Sequence, residues 1–186
     1  MSAKDAGVEL DFTGIFVVKA PAPTAPPLPA KIPEEIVIGA KALKKGGYFI
    51  QITNPRPGRV VRAGIKTILI IEDEPSTLLL LDHLLHKAGY LTRKAVSGAS
   101  FVAAMKLPPL PDLVLLDLEL PDISGLRILV KLREHPQTKT LPVLVLSARS
   151  ELKDVYQCLS LGADGYVTKP TKAGPLLQAV KAILGA

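Results

Sequence analysis

The sequence predicts an α/β fold: a doubly wound, five-stranded parallel sheet covered by helices on both faces, preceded by an N-terminal extension. Three observations carry that prediction. Runs such as ILII at 68–71, LVLL at 113–116 and VLVL at 143–146 are aliphatic at every position, the pattern of parallel strands buried on both faces. Between them lie segments whose apolar residues recur with helical period, so that strand and helix alternate five times from residue 67 onward. Aromatic residues are only 4% of the chain and tryptophan is absent, so the core must be aliphatic, which suits helices packed on a sheet.

The elements follow in order. VELDFTGIFVV at 8–18 reads as one strand, and residues 21–33 hold six prolines and little that can pack, so they form an extended connector. EEIVIGAKAL and YFIQIT flank KKGG, which predicts a hairpin at about 35–53. NPRPGR at 54–59 then breaks the pattern, so the boundary is placed near residue 64: an extension over 1–64 and a main domain over 65–186. In the main domain ILII leads to the helix STLLLLDHLLHKAG, then the strand LTRKAV and the helix GASFVAAMKL, which Pro108, Pro109 and Pro111 end. LVLL follows, then a Gly-containing turn, the helix LRILVKLREH, the strand VLVL, the helix ELKDVYQCLSLG, the strand DGYV and the helix AGPLLQAVKAILGA.

Composition excludes several classes of function. With 48% hydrophobic and 22% charged residues most of the chain has a core to bury and is not disordered. One cysteine, Cys158, allows no internal disulfide, and no Cys/His cluster has metal-ligand spacing, which points to a reducing compartment, the cytoplasm. Lys4, Asp5 and Glu9 precede any apolar run, and Gly14 to Val18 is too short for an export signal or a membrane span. The net charge is +6; residues 1–65 hold 9 Lys/Arg against 5 Asp/Glu. Without a recognisable DNA-binding motif or aromatic-rich patch that mild excess reads as solubility rather than nucleic-acid binding. His83, His86 and His135 lack partners at phosphotransfer or metal spacing and read as helix-surface or helix-end residues, and Cys158 as packing.

The chemistry collects at the strand ends. The first strand ends in Glu72-Asp73-Glu74, the third in Asp117 with Glu119 two residues on, the fourth in Ser147-Ala148, and the fifth in Thr168-Lys169-Pro170. Each alone is ordinary: acids after strands are solvated, a serine before a helix caps it, and a loop lysine meets water. All of them at the carboxyl ends of four strands is a different matter, because that edge is where open parallel sheets bind ligands. Clustered carboxylates raise one another's pKa unless a cation sits among them, and an oxygen-only set suits Mg²⁺ completed by phosphate oxygens. Lys169 and the Ser147 hydroxyl would donate to a transferring phosphoryl group, and Ala148 would leave room for it.

IIEDEP, DLELPDISGLRIL, VLSA and GADGYVTKP, with Ser147 and Lys169 lying 30 and 52 positions after Asp117, together resemble the receiver domain of two-component response regulators over residues 66 to about 186. The resemblance implies a flavodoxin-like (βα)5 sheet with strand order 2-1-3-4-5. It implies Asp117 as phosphoacceptor, Glu72 and Asp73 with Asp117 and the backbone carbonyl of Glu119 as the Mg²⁺ ligands, and Lys169 as the phosphate-contacting lysine. Ser147 and Tyr166 then correspond to the switch pair, Lys169-Pro170 to a cis peptide, and Glu119 and Arg149 to neighbours of the water path, where a contact between them would shield the acyl phosphate. Glu replaces the commoner Asp at 72 and Ser the commoner Thr at 147, both within family variation, with no sign of a degenerate site.

Such a protein is a phosphoacceptor rather than an enzyme. Its partners are a histidine kinase or histidine phosphotransfer protein, and a downstream protein docking on the fourth helix, fifth strand and fifth helix, without membrane insertion. Since the last predicted helix reaches Ala186, a stand-alone or shuttle-type receiver is expected. Two alternatives stay open at this stage. A haloacid-dehalogenase-like hydrolase also uses an Asp nucleophile with Mg²⁺, but wants a second Asp where Glu119 stands. The other is a regulator whose basic N-terminal extension is the effector.

Overall fold

The computed structural model describes residues 50–52, 62–170 and 172–185. In chain order the strands are β1 (Ile50–Ile52), β2 (Thr67–Ile71), β3 (Leu91–Ala95), β4 (Leu113–Asp117), β5 (Val143–Ser147) and β6 (Gly165–Thr168). The helices are α1 (Pro75–Lys87), α2 (Gly98–Met105), α3 (Gly125–Glu134), α4 (Leu152–Ser160) and α5 (Ala173–Leu184).

The sheet runs β1-β6-β5-β4-β2-β3. Strands β3-β2-β4-β5-β6 are parallel to one another, which is the expected 2-1-3-4-5 order. Alternate residues of each strand face opposite layers. Leu69, Ile71, Val114, Leu116, Val143 and Val145 pack with Phe101 and Met105 of α2, Ile128, Leu129 and Leu132 of α3, and Val155 and Cys158 of α4. On the other face Ile68, Ile70, Leu113, Leu115, Leu144 and Leu146 meet Leu78, Leu81 and Leu85 of α1 and Leu176, Val180 and Ile183 of α5. β4 and β5 are buried at every position, and each such aliphatic side chain contributes about 1.5–3 kcal/mol over leaving it in water.

One element departs from the five-stranded expectation. β1 pairs antiparallel on the outer edge of β6, Ile50 opposite Val167, Gln51 opposite Tyr166 and Ile52 opposite Gly165. The expected strand at 8–18, the connector at 21–33 and all but this end of the expected hairpin lie outside the described residues. Arg62, also before the expected boundary, pairs with Asp112 at 3.2 Å and donates to the Leu110 carbonyl.

Local chemistry sets the helix starts that face the carboxyl edge. Pro75 opens α1, and the Glu74 carboxylate caps it by accepting from the amides of Ser76 at 3.1 Å and Thr77 at 2.6 Å. The Ser76 hydroxyl, which donates to the same carboxylate at 2.6 Å, and the bonds from Thr77 and the Ser76 amide bring the Glu74 pKa down to about 2. Ser97 and Ser100 form a reciprocal capping box on α2. At the far end of the last helix Gly185 takes the left-handed conformation that closes it, φ 73°.

Candidate functional site

β2 and β4 lie side by side, yet the chain leaves β2 for β3 on its other side, so the topological switch point falls between them, the crevice where such sheets bind ligands. Glu72 and Asp73 follow directly on β2, and Asp117 is the last residue of β4. Carboxylate oxygens of the three lie within 4.8 Å of one another. Glu72 and Asp117 are buried, at 1% and 4% exposure, while Asp73 faces solvent. Glu74, next in sequence, does not join them, because its carboxylate is spent on the α1 cap.

Lys169, at the end of β6, lies between the two buried acids. Its Nζ is 2.6 Å from Glu72 Oε2 and 2.7 Å from Asp117 Oδ2. The Lys169 amide donates to the Ser147 carbonyl at 2.8 Å, which fixes its main chain as well, and the Lys169-Pro170 peptide is cis, as the resemblance implied. Burial disfavours the ammonium, but hydrogen bonds to and charges of Asp117 and Glu72 outweigh it and hold its pKa above the ordinary lysine value. For Glu72 the balance is reversed: burial is the largest influence, the Asp117 charge adds to it, and its pKa is raised despite Lys169.

The fit of a metal can be tested on these atoms. Lys169 Nζ reaches Glu72 Oε2, and among the described residues Oε1 has no hydrogen-bond partner, although both oxygens are buried. An orphaned buried carboxylate oxygen is costly, and here it stands beside an exposed carboxylate and a second buried one on an open edge. One ammonium does not neutralise three carboxylates. Glu72, Asp73 and Asp117 could therefore hold a metal ion, and their all-oxygen character suits a hard cation.

The loop after β4 is tied down on both sides of Asp117. The Glu119 amide donates to Asp117 Oδ1 at 3.1 Å. Glu119 bridges to Ser124 across the loop, and Gly125 donates to the Leu118 carbonyl at 3.0 Å. α3 begins so close to Asp117 that a Cβ on Gly125 would fall 2.1 Å from the Asp117 carbonyl oxygen; only glycine lets the helix start there. Asp122 accepts from the Gly98 amide with both oxygens at 2.9 Å, anchoring the loop to the start of α2. Neither glycine nor Asp122 was singled out from sequence beyond the Gly-containing turn, since close approach leaves no composition signal.

Ser147 and Tyr166 are both fully buried and are brought together by one residue. The Arg149 amide donates to Ser147 Oγ at 3.1 Å, and the Tyr166 hydroxyl donates to the Arg149 carbonyl at 2.8 Å. The Arg149 guanidinium reaches Glu119 Oε1 at 3.1 Å, which gives the contact foreseen between those two residues. Asp117, Glu119, Arg149, Ser147 and Tyr166 thus form a hydrogen-bonded chain from the acid cluster to the outer part of the sheet. Burial raises the Tyr166 hydroxyl pKa, so it remains a donor.

The residues set aside behave mostly as expected. Cys158 is buried, and burial pushes its thiol up to about 12, which leaves it inert. His86 does have an acid neighbour, Asp82 at 3.2 Å one helical turn away, a pairing of helix surface rather than a ligand set. Among the described residues no helix is long and apolar enough to cross a membrane.

Comparison with known proteins gives a consistent result. The family model for the response regulator receiver domain matches residues 68–181. The DNA-binding dual master transcriptional regulator RpaA of Synechocystis is 40% identical over 118 residues, 63% of this chain and 48% of that protein. The transcriptional regulatory protein KdpE of Mycobacterium tuberculosis is 44% identical over 115 residues, 62% of this chain and 49% of that protein. The chain thus spans about half the length of these curated relatives. A crystal structure of a putative response regulator from Chloroflexus aurantiacus superposes with a TM-score of 0.62 at 34% identity, covering 66% of this chain and 100% of that one.

Proposed function

The chain belongs to the response-regulator receiver family, and from that premise we propose that it is a phosphoacceptor switch in which Asp117 takes a phosphoryl group from the phosphohistidine of a histidine kinase or histidine phosphotransfer protein. The single observation that supports this best is the buried Glu72–Asp117–Lys169 cluster with an unpartnered carboxylate oxygen at the switch point of the sheet. Family membership favours this reading over the hydrolase alternative, because receiver domains are signalling phosphoacceptors rather than classical enzymes.

In this reading Glu72, Asp73, Asp117 and the Glu119 carbonyl would hold Mg²⁺. When bound, the ion neutralises charge on the transferring group, a role that oxygen ligands leave open to phosphate. An Asp117 carboxylate oxygen forms the new O–P bond as the P–N bond to the donor histidine breaks, and the electron pair leaves with the imidazole. The Glu119 amide orients Asp117. Lys169, already 2.7 Å from Asp117, donates to a phosphoryl oxygen. The Ser147 hydroxyl turns toward the same group, which alters its bond with Arg149 and so the seat of Tyr166. The Arg149–Glu119 pair covers the approach to the acyl phosphate and slows its hydrolysis. A downstream protein reads the result on α4, β6 and α5. Cytoplasmic residence accords with the single unpaired cysteine.

Calorimetric titration with beryllofluoride, a tetrahedral phosphoryl mimic, tests the site. With Mg²⁺ present the wild type should bind one equivalent, and Asp117→Asn should bind none. Equal heats for the two proteins, or binding that is indifferent to Mg²⁺, would rule the reading out.

A further inference from the structure

The last parallel strand of an open sheet presents a row of unpaired amides and carbonyls along its outer side. Here that side is not open. Residues 50–52 lie antiparallel along β6, in register with Gly165, Tyr166 and Val167, and run close to α5. We propose that the outer edge of β6 is a strand-addition surface whose resident occupant is the chain's own segment Ile50–Ile52, and that this pairing is coupled to the acidic site, loosening when a phosphoryl group or its mimic is held at Asp117.

Three observations carry the inference. The first is position: Gln51 is the backbone partner of Tyr166, the residue that ends the hydrogen-bonded chain Asp117–Glu119–Arg149–Tyr166. The second is the other side of β6, which is locked to β5 through Val145 opposite Tyr166 and Ser147 opposite Thr168, with the Lys169 amide on the Ser147 carbonyl. A shift at Ser147 or Lys169 therefore moves β6 against β1. The third is length: β1 has three residues, whereas each parallel pairing of β6, β5 and β4 is part of the continuous core. So short a strand rests on very few bonds and is marginal unless its partner holds still, so the weakest pairing in the sheet lies over the residue that carries the signal. Main-chain pairing accepts a strand of almost any sequence, so release of β1 leaves an edge that another extended segment can take.

The coupling rests on the phosphoacceptor reading; the pairing does not. Both are tested on the full chain by backbone amide exchange read over peptides containing 165–168. Successive amides of an antiparallel strand point alternately toward and away from the neighbour, so the double variant Gln51→Pro/Ile52→Pro must remove at least one donor to β6 or break the strand conformation. Without any ligand, exchange over 165–168 should rise several-fold in this variant while exchange in β4 stays unchanged; no rise would refute the pairing.

With Mg²⁺ and beryllofluoride, wild-type exchange over 165–168 should rise toward that of the variant. Because coupling is reciprocal, the variant should bind beryllofluoride more tightly, by about fivefold or more. A passive edge strand would change neither. If calorimetry shows the mimic bound while exchange and affinity are unaltered, the coupling is wrong and the phosphoacceptor reading stands. If no mimic binds, both fall.

Discussion

The two ends of the sheet treat buried acids in opposite ways. At the amino end of β5 and β6, Asp164 is met by the Arg133 guanidinium at 2.8 Å and by the Val143 amide at 2.9 Å, and Arg133 also donates to the carbonyls of Gly162 and Leu141. Nearby, Asp112 accepts from Arg62 at 3.2 Å and from the Thr67 amide at 2.8 Å. At the carboxyl end Glu72 and Asp117 share one lysine, and among the described residues one Glu72 oxygen has no hydrogen-bond partner. The difference separates two uses of the same side chain. An acid matched by its own cation and amides clamps loops together, whereas acids crowded around one shared cation leave charge for a ligand to satisfy.

That contrast gives stability effects of different size and sign. Arg133→Ala leaves Asp164 buried without its cation and should lower the unfolding free energy by about 3–5 kcal/mol, read from urea denaturation. Mg²⁺ should raise wild-type stability, by about 2.7 kcal/mol at a hundred times its Kd, and the gain should disappear in Asp73→Asn/Glu72→Gln. The same double variant without metal should be no less stable than wild type, because it removes like charges rather than a matched pair; a loss comparable with that of Arg133→Ala would erase the distinction between the two ends.

Gly125→Ala puts a methyl into the Asp117 carbonyl and should destabilise by about 1–3 kcal/mol, as overpacking does. It should also slow labelling of Asp117, since the loop must shift. Arg149→Ala breaks an exposed pair and should change stability by less than about 1 kcal/mol. Its dephosphorylation should nevertheless be faster than wild type, and unchanged hydrolysis would remove the shielding role.

Much of this was legible in the sequence because period and position report it directly. Aliphatic runs marked β2, β4 and β5, and the residues at the carboxyl ends of these strands and of β6, Glu72, Asp73, Asp117, Ser147 and Lys169, had to reach one edge once the strands were parallel. Other features have no such signature. β1 is three residues of an extension whose neighbours in sequence give no hint that the edge of β6 is their partner, because antiparallel pairing across more than 100 residues is set by tertiary fit. Nothing in the sequence pairs Arg133 with Asp164, and only the fold brings them to 2.8 Å as a clamp. Glu74 shows the opposite limit: it only extends the acidic run that follows β2, and local capping geometry claims its carboxylate.

The central claim is that the unmatched acids form a phosphoryl-accepting site on Asp117. Intact-mass spectrometry after incubation with acetyl phosphate and Mg²⁺ tests it most directly. The wild type should gain an adduct of about 80 Da, the mass of one phosphoryl group, that is absent from Asp117→Asn and from wild type treated with EDTA. An adduct that persists in Asp117→Asn, or none on the wild type under conditions that label a control receiver, would contradict it.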